Sequence, residues 1–289
     1  MLGPQGAVVV PDSGRDDLVD TLASVRAYLP RATVVVVDDR PPPQRPRSLG
    51  PSCVVLPSLP YPRNAYGGLW LKECYAFRWV LANLAVDYVL RLDSDALVTG
   101  PGLDRLVVER FAREPTLGVL GAYRWGADGA KRDFGPAVRA ISSEAGLPGL
   151  VLRPACRLAL RRLLAAARSN GYETGEHTLG AVSVLRPEML ARCQEMGWLD
   201  MPTLAGSKLG EDWLVAMMAR AAGYALGDIG GPHGVIAVAW KGLPASPEEL
   251  LERGVLATHS VRSWRGRSEA EIRRYFAENR ACSSSHGEP

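Results

Sequence analysis

The residues of this chain whose types and spacing could support chemistry are three acidic groups. Each follows a predicted strand or opens a predicted helix: Asp38-Asp39, Asp93-Ser94-Asp95 and Glu211-Asp212. In an open α/β sheet, ligands bind outside the carboxyl ends of the strands, so we expect at least the first two groups to share one crevice. Carboxylates gathered there repel one another unless they share a cation. A hard divalent ion, Mg²⁺ or Mn²⁺, suits such ligands, and the pattern therefore predicts a metal site.

The Asp93-Ser94-Asp95 triplet gains its weight from its surroundings. With 15 aspartates in the chain, chance placement alone gives about one such triplet. Here an apolar strand at residues 87–92 runs directly into the triplet, and a short apolar stretch at 96–98 follows it. Solvated turn aspartates remain the alternative interpretation.

The first 40 residues predict the elements that position these groups. Residues 7–10 form a short apolar strand, which the turn residues 11–14 should end. Apolar residues at 18, 22, 25 and 29 then follow the spacing of an amphipathic helix. The continuous apolar run at 33–37 is typical of a strand buried on both faces of a parallel sheet. This order predicts a βαβ unit.

Strands and helices continue to alternate along the chain. Further strands are predicted near 53–56 and at 87–92, 117–123, 181–185, 224–228 and 235–239. Helices are predicted at 70–84, at 153–169, from Pro187, at 211–222, and as short helices after Ser246 and Ser268. The proline-rich stretches 40–47 and 56–63 are predicted loops. Alternation without a flexible linker predicts one α/β domain over residues 1–280, with a disordered tail at 281–289.

Composition and charge exclude several classes of protein. The 34 basic residues against 31 acidic ones give a formal charge of +3, and they are scattered, so we expect no nucleic-acid partner. The five cysteines include no CxxC pair, which argues against a zinc knuckle or a disulfide framework. We find no apolar run of the roughly 18 residues that a transmembrane segment needs. Residues 1–6 do not resemble a signal peptide, so a soluble cytoplasmic protein is expected.

Taken in order, the motifs resemble the inverting GT-A-fold glycosyltransferases grouped as family 2. The resemblance covers about residues 7–230 and rests on the strand–PDSG–helix–strand that ends in VDD, then YVLRLDSDALV, GAVSVLRPEML and LGEDWLVAMMARAAGY. It implies a GT-A fold, a Rossmann-like nucleotide-binding mixed sheet flanked by helices. In that fold, residues 1–125 would bind a nucleotide sugar, and the more irregular half at 126–280 would bind the acceptor.

The resemblance also implies roles for individual residues. Asp39 would contact the nucleotide base, and Asp93, Ser94 and Asp95 would contact ribose and metal. His259, in the sequence Ala-Thr-His-Ser, is the best-placed candidate for a late metal ligand. Asp212 matches the general base, although it and Glu211 could instead be ordinary first-turn carboxylates that stabilise their helix.

Other candidate residues surround these. Pro11 and Asp12, in the loop after the first strand, join Asp39 as candidates for donor binding. Gly180, Glu211 and Trp213 are expected at the substrate, Trp213 being preferred for sugar stacking over Trp125, Trp240 and Trp264, for which core packing is the default. Lys72 would reach a phosphate or, as an alternative, lie solvated. His177 and His233 are interpreted as loop residues without a partner.

The expected activity is transfer of a sugar from a UDP or GDP sugar to an acceptor hydroxyl, with inversion and with Mn²⁺ or Mg²⁺ as cofactor. A sugar-1-phosphate nucleotidyltransferase should carry a glycine-rich basic loop after the first strand, whereas residues 11–17 are acidic. A dehydrogenase would need GxGxxG there, and it is absent. A domain that binds a sugar nucleotide without turnover is the remaining alternative.

Overall fold

The computed structural model describes residues 3–12, 14, 18–38, 49, 53–57, 59–60 and 66–285. Its strands are β1 Gly6–Asp12, β2 Ala32–Asp38, β3 Cys53–Leu56, β4 Tyr88–Leu92, β5 Leu97–Val98, β6 Leu117–Gly121, β7 Val182–Leu185, β8 Ala225–Asp228, β9 Ile236–Val238, β10 Ala257–His259, β11 Ser263–Trp264 and β12 Arg267–Ser268. Its helices are α1 Leu18–Tyr28, α2 Tyr66–Asn83, α3 Leu103–Arg113, α4 Gly135–Ala145, α5 Leu147–Leu152, α6 Pro154–Ser169, α7 Pro187–Glu195, α8 Glu211–Ala221, α9 Pro247–Glu252 and α10 Glu269–Ser285.

A seven-stranded mixed sheet forms the centre of the fold, in the order β3-β2-β1-β4-β7-β6-β8. The strands β1 to β4 are parallel, so their carboxyl ends meet at one edge. Strand β7 runs antiparallel to both of its neighbours, and β6 and β8 pair in parallel. Helices cover both faces of this sheet, as the predicted α/β class requires, and that prediction is confirmed.

The sheet is buried on both faces because successive side chains of a strand point to opposite sides. Val8 and Val10 of β1 pack on the side of α1, together with Leu22. Ala7 and Val9 point the other way and join the core beneath α2. This explains why β1 and β2 are continuous apolar runs rather than alternating ones.

A second, three-stranded sheet joins distant parts of the chain, in the order β5-β10-β9. Strand β5 follows the DSD triplet directly and pairs antiparallel with β10, with Thr258 opposite Leu97 and Ala257 opposite Val98. The backbone N–H of Val261 also donates to the carbonyl of Asp95, 3.1 Å away. This pairing brings the late segment of the chain alongside the triplet.

Several predicted boundaries are corrected by the structure. Strand β1 does not end at the turn residues but continues through Pro11 and Asp12, because β2 pairs with it as far as Asp12, whereas β4 pairs only as far as Val9. Proline is tolerated where one side of a strand is unpaired. The helix after Ser268 is long rather than short, and it reaches Ser285, inside the segment expected to be a tail.

Other predictions about the ends of elements are confirmed. The Ser246 hydroxyl accepts a hydrogen bond from the Glu249 N–H at 3.1 Å, as a capping box requires. Gly171 and Gly223, which follow α6 and α8, have positive φ angles of 79° and 89°. Helices α3, α4 and α5 were not predicted. None of the described helices has the length and apolarity that a membrane span needs.

The close packing of the start of α2 generates a prediction about stability. A Cβ atom added at Gly67 would lie 1.9 Å from the Leu204 carbonyl oxygen, in a 3₁₀ turn at Pro202–Leu204. Although alanine normally favours a helix over glycine, Gly67→Ala should lower the free energy of unfolding by about 2 kcal/mol or more through overpacking. Urea denaturation measures this.

The matched control is Gly206→Ala. The added Cβ would have as its nearest neighbour the Arg153 Cδ at 3.9 Å, an ordinary contact, so this variant should keep wild-type stability. Equal stability of the two variants would contradict close packing of Gly67 against the Leu204 carbonyl.

Candidate functional site

A cleft of about 630 Å³ opens at the carboxyl end of β4. It is walled by the end of β10, the start of α8 and the start of α4. The charged residues that line it are five carboxylates and five cationic side chains: Asp93, Asp95, Asp133, Glu211, Asp212, Arg91, Arg132, Lys208, Lys241 and Arg262. The cleft therefore joins the second and third acidic groups of the sequence, which lie 116 residues or more apart in the chain.

Two aspartates of the DSD triplet and His259 form one cluster in this cleft. Their candidate ligand atoms all lie within 4.8 Å of one another. The Nε2 atom of His259 is 3.3 Å from Asp95 Oδ1 and 3.7 Å from Asp93 Oδ2. The prediction that a late histidine joins the triplet is thus supported by position.

The orientation of the His259 ring suits a metal ligand. Its Nδ1 lies 2.9 Å from the Ala239 carbonyl oxygen, which can only accept, so we assign the proton to Nδ1. The Nε2 atom then faces the two carboxylates. A backbone carbonyl that holds the far nitrogen of a ligating histidine is a common feature of metal sites. These three residues could hold a divalent cation.

Asp95 is the most strongly held member of the cluster. Its Oδ2 accepts from the Ser260 hydroxyl at 2.9 Å and lies 2.6 Å from Arg262 Nε. Burial raises the pKa of Asp95, but the hydrogen bonds and positive charge of its neighbours outweigh burial and hold that pKa well below its usual range. These contacts favour the ionised form of Asp95.

The DSD turn itself is braced from behind. The Ser94 carbonyl accepts hydrogen bonds from the Thr21 hydroxyl of α1 at 2.7 Å and from the Arg273 guanidinium of α10 at 3.2 Å. Arg273 is in turn paired with Asp20 at 3.1 Å. Helices from both ends of the described chain thus fix the backbone that presents Asp93 and Asp95.

Arg91, on β4, connects the Asp93–Asp95–His259 cluster to the acidic pair of α8. Only 3% of its side chain is exposed. Its Nη1 lies 2.8 Å from Asp93 Oδ1, its Nε donates to Glu73 Oε1 at 2.9 Å, and its Nη2 donates to Glu211 Oε1 at 3.3 Å. One guanidinium therefore contacts three carboxylates, with Glu73 and Glu211 sharing Nη2.

One cation does not neutralise three carboxylates, and the pKa values of two of them are raised. Burial, opposed by Arg91 and reinforced by Glu211 and Asp93, raises the pKa of Glu73 to about 8. Its Oε2 atom is buried without a hydrogen-bond partner. Burial and the charge of Asp212 likewise raise the pKa of Glu211. Glu73 is the member of this group that is enclosed completely, with no exposed surface.

Asp212 lies in the first turn of α8, on the cleft side. Its Oδ1 accepts from the Trp213 N–H at 2.9 Å. Burial raises its pKa above the aspartate value, although the charges of Arg91 and Arg132 and hydrogen bonds from the Trp213 and Gly180 backbone oppose the rise. A buried but ionisable carboxylate with a raised pKa is suited to accept a proton near neutral pH.

Gly180 serves this acidic pair by its lack of a side chain. A Cβ atom there would lie 3.0 Å from Asp212 Cβ and 3.1 Å from Glu211 Oε1. It is not among the residues that line the main cleft, but it lines a small void of about 10 Å³ behind Glu211 and Asp212. Gly180 was expected at the substrate, but it lies behind Glu211 and Asp212, the carboxylates that line the cleft.

His177, interpreted from the sequence as a loop residue without a partner, lines the cleft instead. Its Nδ1 lies 2.8 Å from the Gly175 carbonyl, and its Nε2 lies 2.7 Å from Arg132 Nη2. Burial and the Arg132 charge lower the pKa of His177 to about 4, so the ring is neutral. Its ring packs against Trp213, with centroids 5.8 Å apart, and steadies that side chain. His233, by contrast, lines a separate groove beside α3.

The remaining predicted residues fall into distinct places. Lys72 is neither solvated nor among the residues that line the cleft; it is 1% exposed within α2, because both faces of the sheet are covered. Asp12 is 2% exposed and pairs in register with Asp38 at the edge where β4 also ends. Asp39 lies outside the described residues.

The tryptophan predictions divide in the same way. Trp213 lines the cleft, as expected. Trp240, for which core packing was the default, also lines it and is 77% exposed, so that default was wrong. It follows β9 on the open side of the cleft, where no element covers it among the described residues.

Sequence reasoning missed the groups that organise the site, namely Glu73, Arg91, Arg132 and Arg262. The one available signal was the charged Arg91 inside an otherwise apolar strand that leads into the triplet. A buried charge requires a partner, so such a residue predicts a carboxylate nearby. The packing of α2 and α8 alone determines which carboxylates from these helices pair with Arg91.

No family model matches this chain, and no curated protein matches it. Among solved structures, the chain is similar to the crystal structure of a glycosyltransferase involved in the glycosylation of the major capsid of PBCV-1. The two sequences are 12% identical, the match covers 95% of this chain and 100% of that chain, and the TM-score is 0.43.

The Arg91 group generates a prediction about stability and pH. The raised pKa of Glu73 means that the folded protein keeps a proton that the unfolded chain loses near its ordinary value of 4.5. The stability that this proton contributes is present at low pH and is lost as the pH rises through about 8. Glu73→Gln keeps a neutral group there, so its free energy of unfolding should fall less than that of the wild type between about pH 6 and about pH 9.

Urea denaturation at several pH values measures the difference. Glu109→Gln is the matched control, because Glu109 lies 63% exposed on α3 in a surface pair with Arg113. Its pH dependence should follow the wild type. Parallel curves for Glu73→Gln and wild type would show that Glu73 is ionised in the folded protein.

Proposed function

We propose that this protein is a metal-dependent glycosyltransferase that moves a sugar from a nucleoside-diphosphate sugar to an acceptor hydroxyl, with inversion. The observation that carries the proposal is that one cleft contains both the Asp93–Asp95–His259 cluster and the carboxylate of Asp212, joined through Arg91. A cation site and a poised base facing one space are the two groups that a single displacement at an anomeric carbon requires.

The metal assignment rests on the donor set. One oxygen from each of two carboxylates and one imidazole nitrogen lie within 4.8 Å of one another, close enough to surround one cation. An imidazole ligand favours a transition-metal ion over Mg²⁺, and the carboxylates favour a hard one, so Mn²⁺ fits both requirements best. When bound, the cation would neutralise charge on the diphosphate leaving group. Asp93, Asp95 and His259 would hold it.

The donor would occupy the side of the cleft nearest the cluster. Arg262 and Lys241 line that region and offer positive charge to phosphate oxygens, the role that the sequence suggested for Lys72. The cleft volume of about 630 Å³ falls within the range of small-molecule sites. Asp39 and the loop after β1 remain the proposed contacts to a uridine or guanosine base.

Asp212 is the proposed general base. Its raised pKa places it closer to neutrality than an ordinary aspartate, and Arg132 and the α8 N-terminus keep it available in the ionised form. It would take the proton of the acceptor hydroxyl as that oxygen attacks the anomeric carbon. Trp213 and Trp240 would offer flat faces to a sugar ring.

One prediction from this proposal tests the proposed metal ligands. His259→Ala and Asp95→Ala should each weaken Mn²⁺-dependent binding of UDP or GDP by at least about 100-fold, because each removes a direct ligand from a small set. Binding measured in EDTA should not change. Calorimetric titration of both nucleotides, with and without Mn²⁺, measures their affinities under the two conditions.

The control for these variants is Asp104→Asn, which changes a first-turn aspartate of α3 away from the cleft. It should bind as the wild type does. A His259→Ala variant with undiminished Mn²⁺ dependence would remove His259 from the metal site. If the wild type binds neither nucleotide with Mn²⁺, the donor proposal itself fails.

Another prediction from this proposal tests Asp212 as the general base. Asp212→Asn preserves size and helix-start preference, so it should fold normally and bind donor with nearly unchanged affinity. Because asparagine does not accept the proton, turnover should fall by about 10²–10⁴-fold. In the wild type, activity should decline on the acidic side as the pH falls through the raised pKa of Asp212, above the ordinary aspartate range.

A transfer assay with a panel of acceptors and NMR of the anomeric product checks this prediction. Glu188→Gln, in the exposed first turn of α7, is the matched control and should be neutral. Turnover of Asp212→Asn within a few-fold of wild type, or a retained anomeric configuration, would rule out Asp212 as the base. Donor binding without any transfer or hydrolysis would favour a non-catalytic domain.

A further inference from the structure

A face formed by α5 and α6 exposes aliphatic side chains that no described element covers. Leu147, Val151, Leu152 and Leu158 are 75%, 81%, 75% and 71% exposed. They are four of the eight large hydrophobic residues that lie exposed in the described part of the chain. We call this set the α5–α6 face. Single exposed apolar residues are ordinary, but a contiguous group marks a surface with a partner.

The same segment is strongly basic. Residues 146–171 contain five arginines, at 153, 157, 161, 162 and 168, and no aspartate or glutamate. Because the whole chain has a net charge of only +3, the rest of it is net negative. The segment that carries these exposed aliphatic side chains is therefore more basic than the rest of the chain.

Helix α6 presents these residues because its two sides face different surroundings. Cys156, Leu160, Leu163, Leu164 and Ala167 face the core and are buried. Positions 155, 158, 161, 162 and 165 lie on the opposite side at spacings of three and four, and all of them are exposed. The outer side of α6 thus combines Leu158 with Arg161 and Arg162, next to the leucines of α5.

We propose that the α5–α6 face is a peripheral docking surface for a bilayer that contains anionic phospholipid. Leu147, Val151, Leu152 and Leu158 would enter the boundary between headgroups and acyl chains. Arg161 and Arg162 would pair with lipid phosphates. An exposed apolar group flanked by arginines and free of acidic residues is the arrangement that binds such an interface.

Charge and composition favour a bilayer over a protein partner. In a two-fold dimer through this face, Arg161 and Arg162 of the two copies would lie close to one another across the interface, which like charge disfavours. The exposed apolar residues of the face are aliphatic, whereas the centres of protein interfaces are enriched in aromatic residues. A lipid surface places no such demand on shape. The proposal does not depend on the glycosyltransferase assignment.

The test is cosedimentation of the full chain with vesicles. One set is pure phosphatidylcholine, and the other contains about one-third phosphatidylglycerol. The wild type should bind the anionic vesicles and not the neutral ones, and binding should weaken as added salt shortens the range of the charge interaction. Arg161→Gln combined with Arg162→Gln should weaken binding by about 30-fold, since each arginine near an anionic surface contributes about 1 kcal/mol.

The aliphatic part of the face is tested separately. Val151→Ser combined with Leu158→Ser should weaken binding by at least about tenfold, because two aliphatic side chains leave the bilayer. Val19→Ser is the matched control, since Val19 is 59% exposed on α1. Arg105→Gln combined with Arg274→Gln, two exposed arginines on other helices, is the control for charge. Both controls should bind as the wild type does.

Melting temperatures of all variants establish that they are folded, as the exposure of each substituted residue leads us to expect. Equal binding to neutral and anionic vesicles, no binding to either, or unchanged binding by both α5–α6 variants would overturn the proposal. Light scattering adds a further check. A wild-type dimer that Val151→Ser with Leu158→Ser dissociates would assign the face to a second copy of the chain instead.

Discussion

The arrangement of this site depends on the Arg91 guanidinium, which three carboxylates share. Asp93 comes from the turn after β4, Glu73 from α2 and Glu211 from α8. Asp93 lies at Nη1, whereas Glu73 contacts Nε and Nη2 and Glu211 contacts Nη2. A lysine in this position would offer a single ammonium group and would not hold three partners in fixed directions. Because the charge is buried, separating any partner would leave an ion unpaired in the interior, so the network resists rearrangement.

That constraint explains how the Asp93–Asp95–His259 cluster and Asp212 come to line one cleft. The guanidinium holds Asp93 on one side and Glu211 on the other, and Asp212 follows Glu211 directly on α8. Burial raises the pKa values of Glu73, Glu211 and Asp212, and the negative charge of neighbouring carboxylates adds to the rise for Glu73 and Glu211. By contrast, Asp95 is held ionised by His259, Ser260 and Arg262. Neighbouring carboxylates thus differ in protonation because their neighbours differ.

Other parts of the site are also assembled from segments that lie far apart in the sequence. The antiparallel pairing of β5 with β10 brings His259 beside the triplet, and the Ala239 carbonyl orients its ring. Arg273 from the last helix braces the same turn from behind. On another surface, α5 and α6 leave aliphatic and basic residues without a cover among the described elements. The site is thus built from both ends of the chain, and the α5–α6 face from a single stretch of it.

The sequence by itself determined the α/β class, the βαβ start, most of the strands and the position of the triplet after β4. It did so because apolar runs and helix caps are local patterns. The tertiary structure decided which distant groups meet. Lys72 is buried rather than solvated, His177 packs on Trp213, and Trp240 stands open at the cleft, since each outcome depends on which elements pack together. Two of the three partners of Arg91, Glu73 and Glu211, lie 18 and 120 residues away along the chain, and no local pattern relates residues at such separations.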